Sequence, residues 1–199
     1  MTLVAVPPGE IATVVTSLRM AERPRPRPMP SSPLRLVRWP APRTEAYRAL
    51  FRRVGAPWLW FSRLLLADDA LLAAIRDPAV EVYAAADRNG VEVGLLELDF
   101  RTATTCELSY LALIPELTGK GHGRWLIAHA LALAWRNGIE SVWVHTCTLD
   151  HPAALAFYRR AGFVPHARTV ETFTDPRLIG VLPATAAPQI PLLGRDART

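Results

Sequence analysis

The ten residues L-T-G-K-G-H-G-R-W-L, Leu117 to Leu126, interleave three glycines with a lysine and a histidine, then run into an apolar, alanine-rich stretch. Glycine carries no Cβ, so its backbone accepts positive φ and lets a ligand approach closely. Glycines at the opening of a helix leave amide N–H groups free to point at an anion. The stretch therefore predicts a phosphate cradle. Spacing excludes two common cradles. A P-loop needs G-x-x-x-x-G-K-[ST], but here the lysine lies between glycines with no Ser or Thr after it. A dinucleotide fingerprint needs G-x-G-x-x-G, but counting from Gly119 the last position holds Arg124, and from Gly121 it holds Leu126.

Working outward, Cys106 to Ile114 reads as a strand stopped by Pro115, and Gly121 to Asn137 as a helix stopped by Gly138. Ile139 to Thr146 reads as a strand, Pro152 to Ala161 as a short helix ended by Gly162, and Phe163 to Phe173 as a last strand. Upstream, Leu34 to Trp39 is strand-like, Thr44 caps a helix through Val54 ended by Gly55, and Trp58 to Ile75 is apolar and helical in pattern. Val80 to Ala86 and Val91 to Phe100 form strands joined by D-R-N-G, a hairpin signal. Residues 8 to 20 predict a helix, with Ile11, Val14, Val15 and Leu18 on one face. R-P-R-P-R-P-M-P that follows is extended, as a linker or strap. Helices before and after a run of strands point to an α/β (α+β) sheet domain. Three segments result: an N-terminal helix and strap over 1–33, the main domain over 34–174, and a proline-rich tail over 175–199.

Length and composition narrow the class. A chain of 199 residues, half of them apolar, suits one domain with a full core. No window approaches a membrane span, and the N-terminus lacks a basic region followed by an apolar one. Two cysteines, Cys106 and Cys147, make no disulfide framework. These features imply a cytoplasmic protein. The net charge of +5 is uneven, because residues 19–63 hold eleven arginines against Glu22 and Glu45. A nucleic-acid arm is one reading. An arginine-rich composition is the other, since 22 of 23 basic residues are arginine and Lys120 is the sole lysine. Aromatic stacking residues are not interleaved along the arm, which favours no nucleic-acid partner.

The pattern Q/R-x-x-G-x-G/A is met by Thr118, Gly119, Lys120, Gly121, His122 and Gly123, directly after a strand. Here the sequence resembles the GNAT superfamily of acetyl-CoA-dependent N-acetyltransferases. A second block agrees: that family's N-x-x-A-[IL]-x-x-Y-x-x-x-G-F is matched by H-P-A-A-L-A-F-Y-R-R-A-G-F, placing Ala154, Leu155, Tyr158, Gly162 and Phe163. Thr118 stands where the family usually has Gln or Arg, and His151 where it usually has Asn. The resemblance is specific over Glu107 to Phe163, extends by element order from about Leu34, and does not reach residues 1–33 or the tail. It implies a mixed, mostly antiparallel sheet flanked by helices, splayed between the strand before the glycine loop and the next strand. Pantetheine would enter the opening along Leu111, Ala112 and Leu113. The pyrophosphate of coenzyme A would rest on amides from Gly119 to Arg124, with charge from Lys120 or Arg124.

Acetyl transfer to an amine needs a base, because an amine of pKa near 10.4 is neutral about four times in ten thousand at pH 7. It needs a donor for the developing oxyanion, available from the strand backbone at Leu111 to Leu113. It also needs a proton for the leaving thiolate. The resemblance assigns that last role to Tyr158, although Leu155 and Tyr158 also share a packing face. Glu107, on the strand before the loop, is the candidate base, with Glu97 and Asp99 behind it; a solvent-facing strand glutamate is the alternative. Trp58, Trp60 and Phe61 either wall an acceptor pocket or pack in a core. His145, Cys147 and His151 form H-x-C-x-x-x-H, which fits no common zinc spacing, so no metal is expected. His122 contributes a backbone N–H rather than its imidazole. The expected activity is acetylation of a primary amine on a small molecule by acetyl-CoA. Alternatives are acetylation of a protein lysine or N-terminus, and a non-catalytic acyl-CoA-binding regulatory module. A homodimer is allowed.

Overall fold

The structure is a computed structural model that describes residues 2–194. Its strands are β1 (Glu10–Met20), β2 (Arg35–Trp39), β3 (Val80–Ala86), β4 (Glu92–Asp99), β5 (Thr105–Leu113), β6 (Ser141–Cys147) and β7 (Val164–Thr174). Its helices are α1 (Thr44–Gly55), α2 (Ser62–Leu65), α3 (Asp68–Ile75), α4 (His122–Ala134) and α5 (Ala154–Ala161). The strands form one seven-stranded sheet in the order β2-β3-β4-β5-β6-β1-β7. Every neighbouring pair is antiparallel except β5 and β6.

That parallel pair positions the site. It is joined in register at only three places, Thr105 with Ser141, Cys106 with Val142 and Glu107 with Trp143. Beyond Glu107 the two strands part, as the splayed sheet predicted. β5 stays paired to β4 up to Leu113, so its other edge faces the gap with free backbone groups.

Each face of the sheet carries its own core. On one, Leu126, Ala130 and Ala134 of α4 pack on Leu96, Leu108 and Val144. On the other, Tyr47, Leu50, Phe51 and Val54 of α1, spaced i, i+3, i+4, i+7, cover Val82, Ala84 and Leu95. The β3–β4 hairpin follows its D-R-N-G signal, with the Asp87 carboxylate accepting from the amides of Asn89 and Val91.

Four expectations need correction. Residues 10–20 are a strand, not a helix: the run Ile11, Thr13, Val14, Val15, Thr16 is β-branched, and β6 and β7 pair with it on both sides. The N-terminal segment thus contributes an interior strand to the sheet. Trp58 to Ile75 is not one helix. A 3₁₀ turn over Ala56–Trp58 ends at Leu59 in the left-handed region (φ 55°), and α3 restarts at the paired acids Asp68 and Asp69. Thr44 does not cap α1; it is the first helical residue, and Arg43 holds the cap position. α4 stops at Ala134, before Gly138.

The tail is irregular as expected, yet it is built in. Asp175 and Arg177 form a buried pair (2.6 Å), and Arg177 also donates to the carbonyls of Ala186 and Ile190. Leu182, Ala186 and Ala187 pack on Leu59. Residues 195–199 of the expected tail, like Met1 of the first segment, lie outside the described residues.

Candidate active site

The parting of β5 and β6 opens a cavity of about 670 Å³. Its floor is β5, including Leu111, Ala112 and Leu113. Thr118, Gly119, Gly121, Gly123 and Arg124 of the glycine loop also line the cavity. Gly119 (φ 77°) and Gly121 (φ 87°) both occupy the left-handed region that the loop's glycines predicted. Gly121 is the N-cap of α4. Among the described residues, the amides of residues 119–123 find no backbone acceptor, whereas those of Thr118 and Arg124 on either side do. A row of free N–H groups at a helix N-terminus fits a pyrophosphate. Lys120 is exposed and does not line the cavity. The His122 imidazole turns away to Ser32 Oγ (3.0 Å), so the residue offers the loop its amide.

α5 forms the adjoining wall. Tyr158 is buried between Phe157 and Phe163, with ring centroids 5.3 and 5.9 Å away, and it lines the cavity. Burial pushes its phenol far above the usual tyrosine pKa, so it stays protonated at every working pH. Among the described residues nothing hydrogen-bonds that hydroxyl. His151 replaces the family's asparagine but still caps the turn, its Nδ1 accepting from the Ala153 amide (3.0 Å). Its ring meets Trp58 edge to face at 5.2 Å.

Part of the lining is aromatic. Trp58, Trp60, Phe61 and Phe173 all line the cavity, and the Phe61 and Phe173 rings lie tilted at 37° with centroids 4.7 Å apart. Trp60 is both wall and core, because it also packs on Phe51 and Tyr110. It fits there because Gly55, whose amide oxygen accepts from the Trp60 N–H, carries no Cβ; one would meet Trp60 at 2.5 Å. The Trp60 indole donates to Asp150 Oδ1 (3.0 Å), while Asp150 Oδ2 accepts from Thr146 Oγ1 (2.7 Å) and the Cys147 amide (2.9 Å). Asp150 thus ties the aromatic wall to the turn that leads into α5. Sequence reading missed it, and its only mark there is its place beside His151.

The carboxylates of β4 and β5 are disposed differently from one another. Glu97 is fully buried, accepts from Tyr47 Oη (2.5 Å) and pairs with Arg63. Asp99 is gripped by Arg101 (2.5 Å), whose hydrogen bonds outweigh the upward push of burial and lower its pKa. Glu107 does not line the cavity; it borders a small polar recess with Asp99, Arg101 and Trp143, and its carboxylate reaches His145 Nδ1 at 3.5 Å. His145 does line the cavity. His145, Cys147 and His151 do not converge: among the described residues no group of three or more His, Cys, Asp or Glu is placed to hold a metal. No described helix is long and apolar enough to cross a membrane.

The family model for the acetyltransferase (GNAT) family matches residues 39–163. No curated protein matches in sequence. Among solved structures, the chain resembles a GCN5-related N-acetyltransferase from Sphaerobacter thermophilus, at 16% identity and TM-score 0.61 over 84% of this chain and 52% of that one. A GCN5-related N-acetyltransferase from Kribbella flavida matches at 19% identity and TM-score 0.51, over 90% of this chain and 62% of that one. An aminoglycoside acetyltransferase from an uncultured soil metagenomic sample, in complex with trehalose, matches at 21% identity and TM-score 0.53, over 65% and 88%. This chain therefore spans about half the length of the Sphaerobacter protein. At these identities the likeness speaks for the fold.

Proposed function

The chain belongs to the acetyltransferase (GNAT) family, and from that premise we propose that it transfers an acetyl group from acetyl-CoA to a primary amine of a small molecule. The observation that carries this reading is that one cavity is lined both by the glycine loop, with its row of free amides, and by an aromatic wall. Acetyl-CoA is the co-substrate, and it supplies an acetyl group already activated as a thioester. The amides of residues 119–123 hold its pyrophosphate, with Arg124 adding charge. The free edge of β5 at Leu111 to Leu113 receives the pantetheine arm as an added strand would be received, and offers N–H groups to the carbonyl oxygen. His151 fixes the start of α5, which carries Tyr158.

Tyr158 is the acid in this reading. It lines the cavity, and its raised pKa keeps the proton in place until the departing sulfur takes it. Trp58, Trp60, Phe61 and Phe173 bound the acceptor end, which favours a compact amine with an apolar or aromatic body over a lysine presented on a protein surface. Release of free thiol from acetyl-CoA, followed over a panel of arylalkyl, polar and peptide amines, tests this reading. Turnover confined to the apolar and aromatic amines supports it. Turnover with the peptides alone, or none at all, contradicts it.

A further inference from the structure

β5 and β6 last meet in register at Glu107 and Trp143. Side chains alternate along a strand, so His145, two residues past Trp143, lies on the same face as Glu107, where the strands begin to part. The Glu107 carboxylate is 3.5 Å from His145 Nδ1, and of the two only His145 lines the cavity. We propose that His145 removes the proton from the acceptor amine, and that Glu107 is a positioning residue acting through the imidazole. This inference rests on the acetyl-transfer reading above.

A carboxylate at Nδ1 keeps the neutral ring's proton on that nitrogen and leaves Nε2 as the acceptor. Three of the nearby carboxylates are already committed, and Glu171 of β7, which also lines the cavity, is the remaining one. Glu97 is held by Tyr47 and Arg63, Asp99 by Arg101, and Asp150 by three donors. Each would have to give up those donors to take a proton. His145 is half exposed, with Trp143 beside it at 6.0 Å between ring centroids.

The charged groups around His145 come from every neighbouring element. Glu107 on β5, Asp150 after β6 and Glu171 on β7 are acidic. Ser17 of β1 lies opposite His145 and Arg19 opposite Trp143. Cys147, two residues along β6, is neutral because burial pushes its thiol up. Glu107 is the strongest influence and holds the imidazole above the ordinary histidine pKa, against the downward pull of burial. A raised pKa makes the neutral imidazole a stronger proton acceptor.

The protons balance. An ammonium N–H bond breaks and its proton moves to Nε2, freeing the lone pair that forms the new C–N bond. Tyr158 gives its proton to the sulfur as the C–S bond breaks. The second proton lost from nitrogen restores Tyr158 through water, and His145 returns its own proton to solvent.

Two readouts test this on the full chain. The first is NMR titration of the His145 ring without substrates: its pKa is expected above about 6.5 in the wild type and lower in Glu107→Gln. The second is the pH–rate profile with one accepted amine. The wild-type rate is expected to rise through that same pKa, and the acid limb to move to lower pH in Glu107→Gln. His145→Gln is expected to lose the limb and about a hundredfold in rate at neutral pH, with acetyl-CoA affinity held. A His145→Gln variant at full rate, or a limb that ignores the NMR-measured shift, overturns the inference while leaving acetyl transfer standing. A wild type that acetylates no amine overturns the parent reading, and this inference with it.

Discussion

The indole N–H of Trp60 donates to the carboxylate of Asp150 across 3.0 Å, joining the loop after α1 to the turn before α5. In the proposed reaction these two segments carry the acceptor wall and the acid. Trp60→Phe keeps the ring against Phe51 and Tyr110 but removes the donor. A hydrogen bond to a charged acceptor contributes about 1.5–3 kcal/mol. The expected result is a several-fold rise in KM for the amine with acetyl-CoA affinity unchanged. Steady-state kinetics varying each substrate in turn checks it; an equal loss for both substrates would show that the link is not confined to the acceptor wall.

The glycine loop allows strain to be separated from binding. Gly121 and Gly138 both hold φ 87°, and a Cβ at either would meet nothing closer than 3.8 Å. An L-residue in that conformation costs about 1–2 kcal/mol. Gly121→Ala and Gly138→Ala should therefore lose similar stability in thermal unfolding. Only Gly121→Ala should weaken acetyl-CoA, by about tenfold or more, because only it disturbs the amides aimed at the pyrophosphate. Calorimetric titration of both variants decides the matter; equal affinities would remove the loop from the binding site.

Tyr158→Phe deletes one hydroxyl and leaves the packing on Phe157 and Phe163 in place. Turnover should fall by about a hundredfold or more while acetyl-CoA affinity stays close to wild type. The deficit should persist through neutral pH and ease above about pH 8.5, where a thiolate leaves without a proton. Full turnover at pH 7 would make this tyrosine a packing residue.

The glycine loop, the α5 block and the β3–β4 hairpin were legible because each is a local pattern whose spacing states its own geometry. β1 was not. Ile11, Val14, Val15 and Leu18 satisfy a helical period by accident of spacing, and the decisive partners, Cys147 for Val15 and Thr169 on its other side, lie far along the chain. The relation of Glu107 to His145 was hidden for the same reason. It depends on the parallel register that sets Glu107 beside Trp143, and nothing near either residue announces that register. Pairing also decided the fate of Glu97, which Tyr47 and Arg63 seal in the core.

The tail should respond to acid. Burial pushes the Asp175 carboxyl up, but hydrogen bonds from Arg177 outweigh it and hold the pKa below the ordinary value. A carboxylate depressed on folding contributes stability that is full above its unfolded pKa, about 3.9, and is lost as pH falls through the folded one. Asp175→Asn leaves Arg177 buried without its counter-charge, at a cost of about 3–5 kcal/mol. Thermal unfolding from pH 7 to pH 2 should show the wild type losing stability over the acid range, and the variant already low at pH 7 and flatter below. A variant as stable as the wild type at pH 7 would contradict this.

Mass spectrometry of the acceptor after incubation with acetyl-CoA labelled in the acetyl group tests the central claim most directly. The account predicts an apolar or aromatic primary amine carrying one labelled acetyl group on nitrogen, formed in equal amount to free coenzyme A and lost when Tyr158→Phe replaces the wild type at pH 7. Acetyl-CoA bound in the cavity with no labelled amine from any acceptor would contradict it, and would make the chain an acyl-CoA-binding protein rather than a transferase.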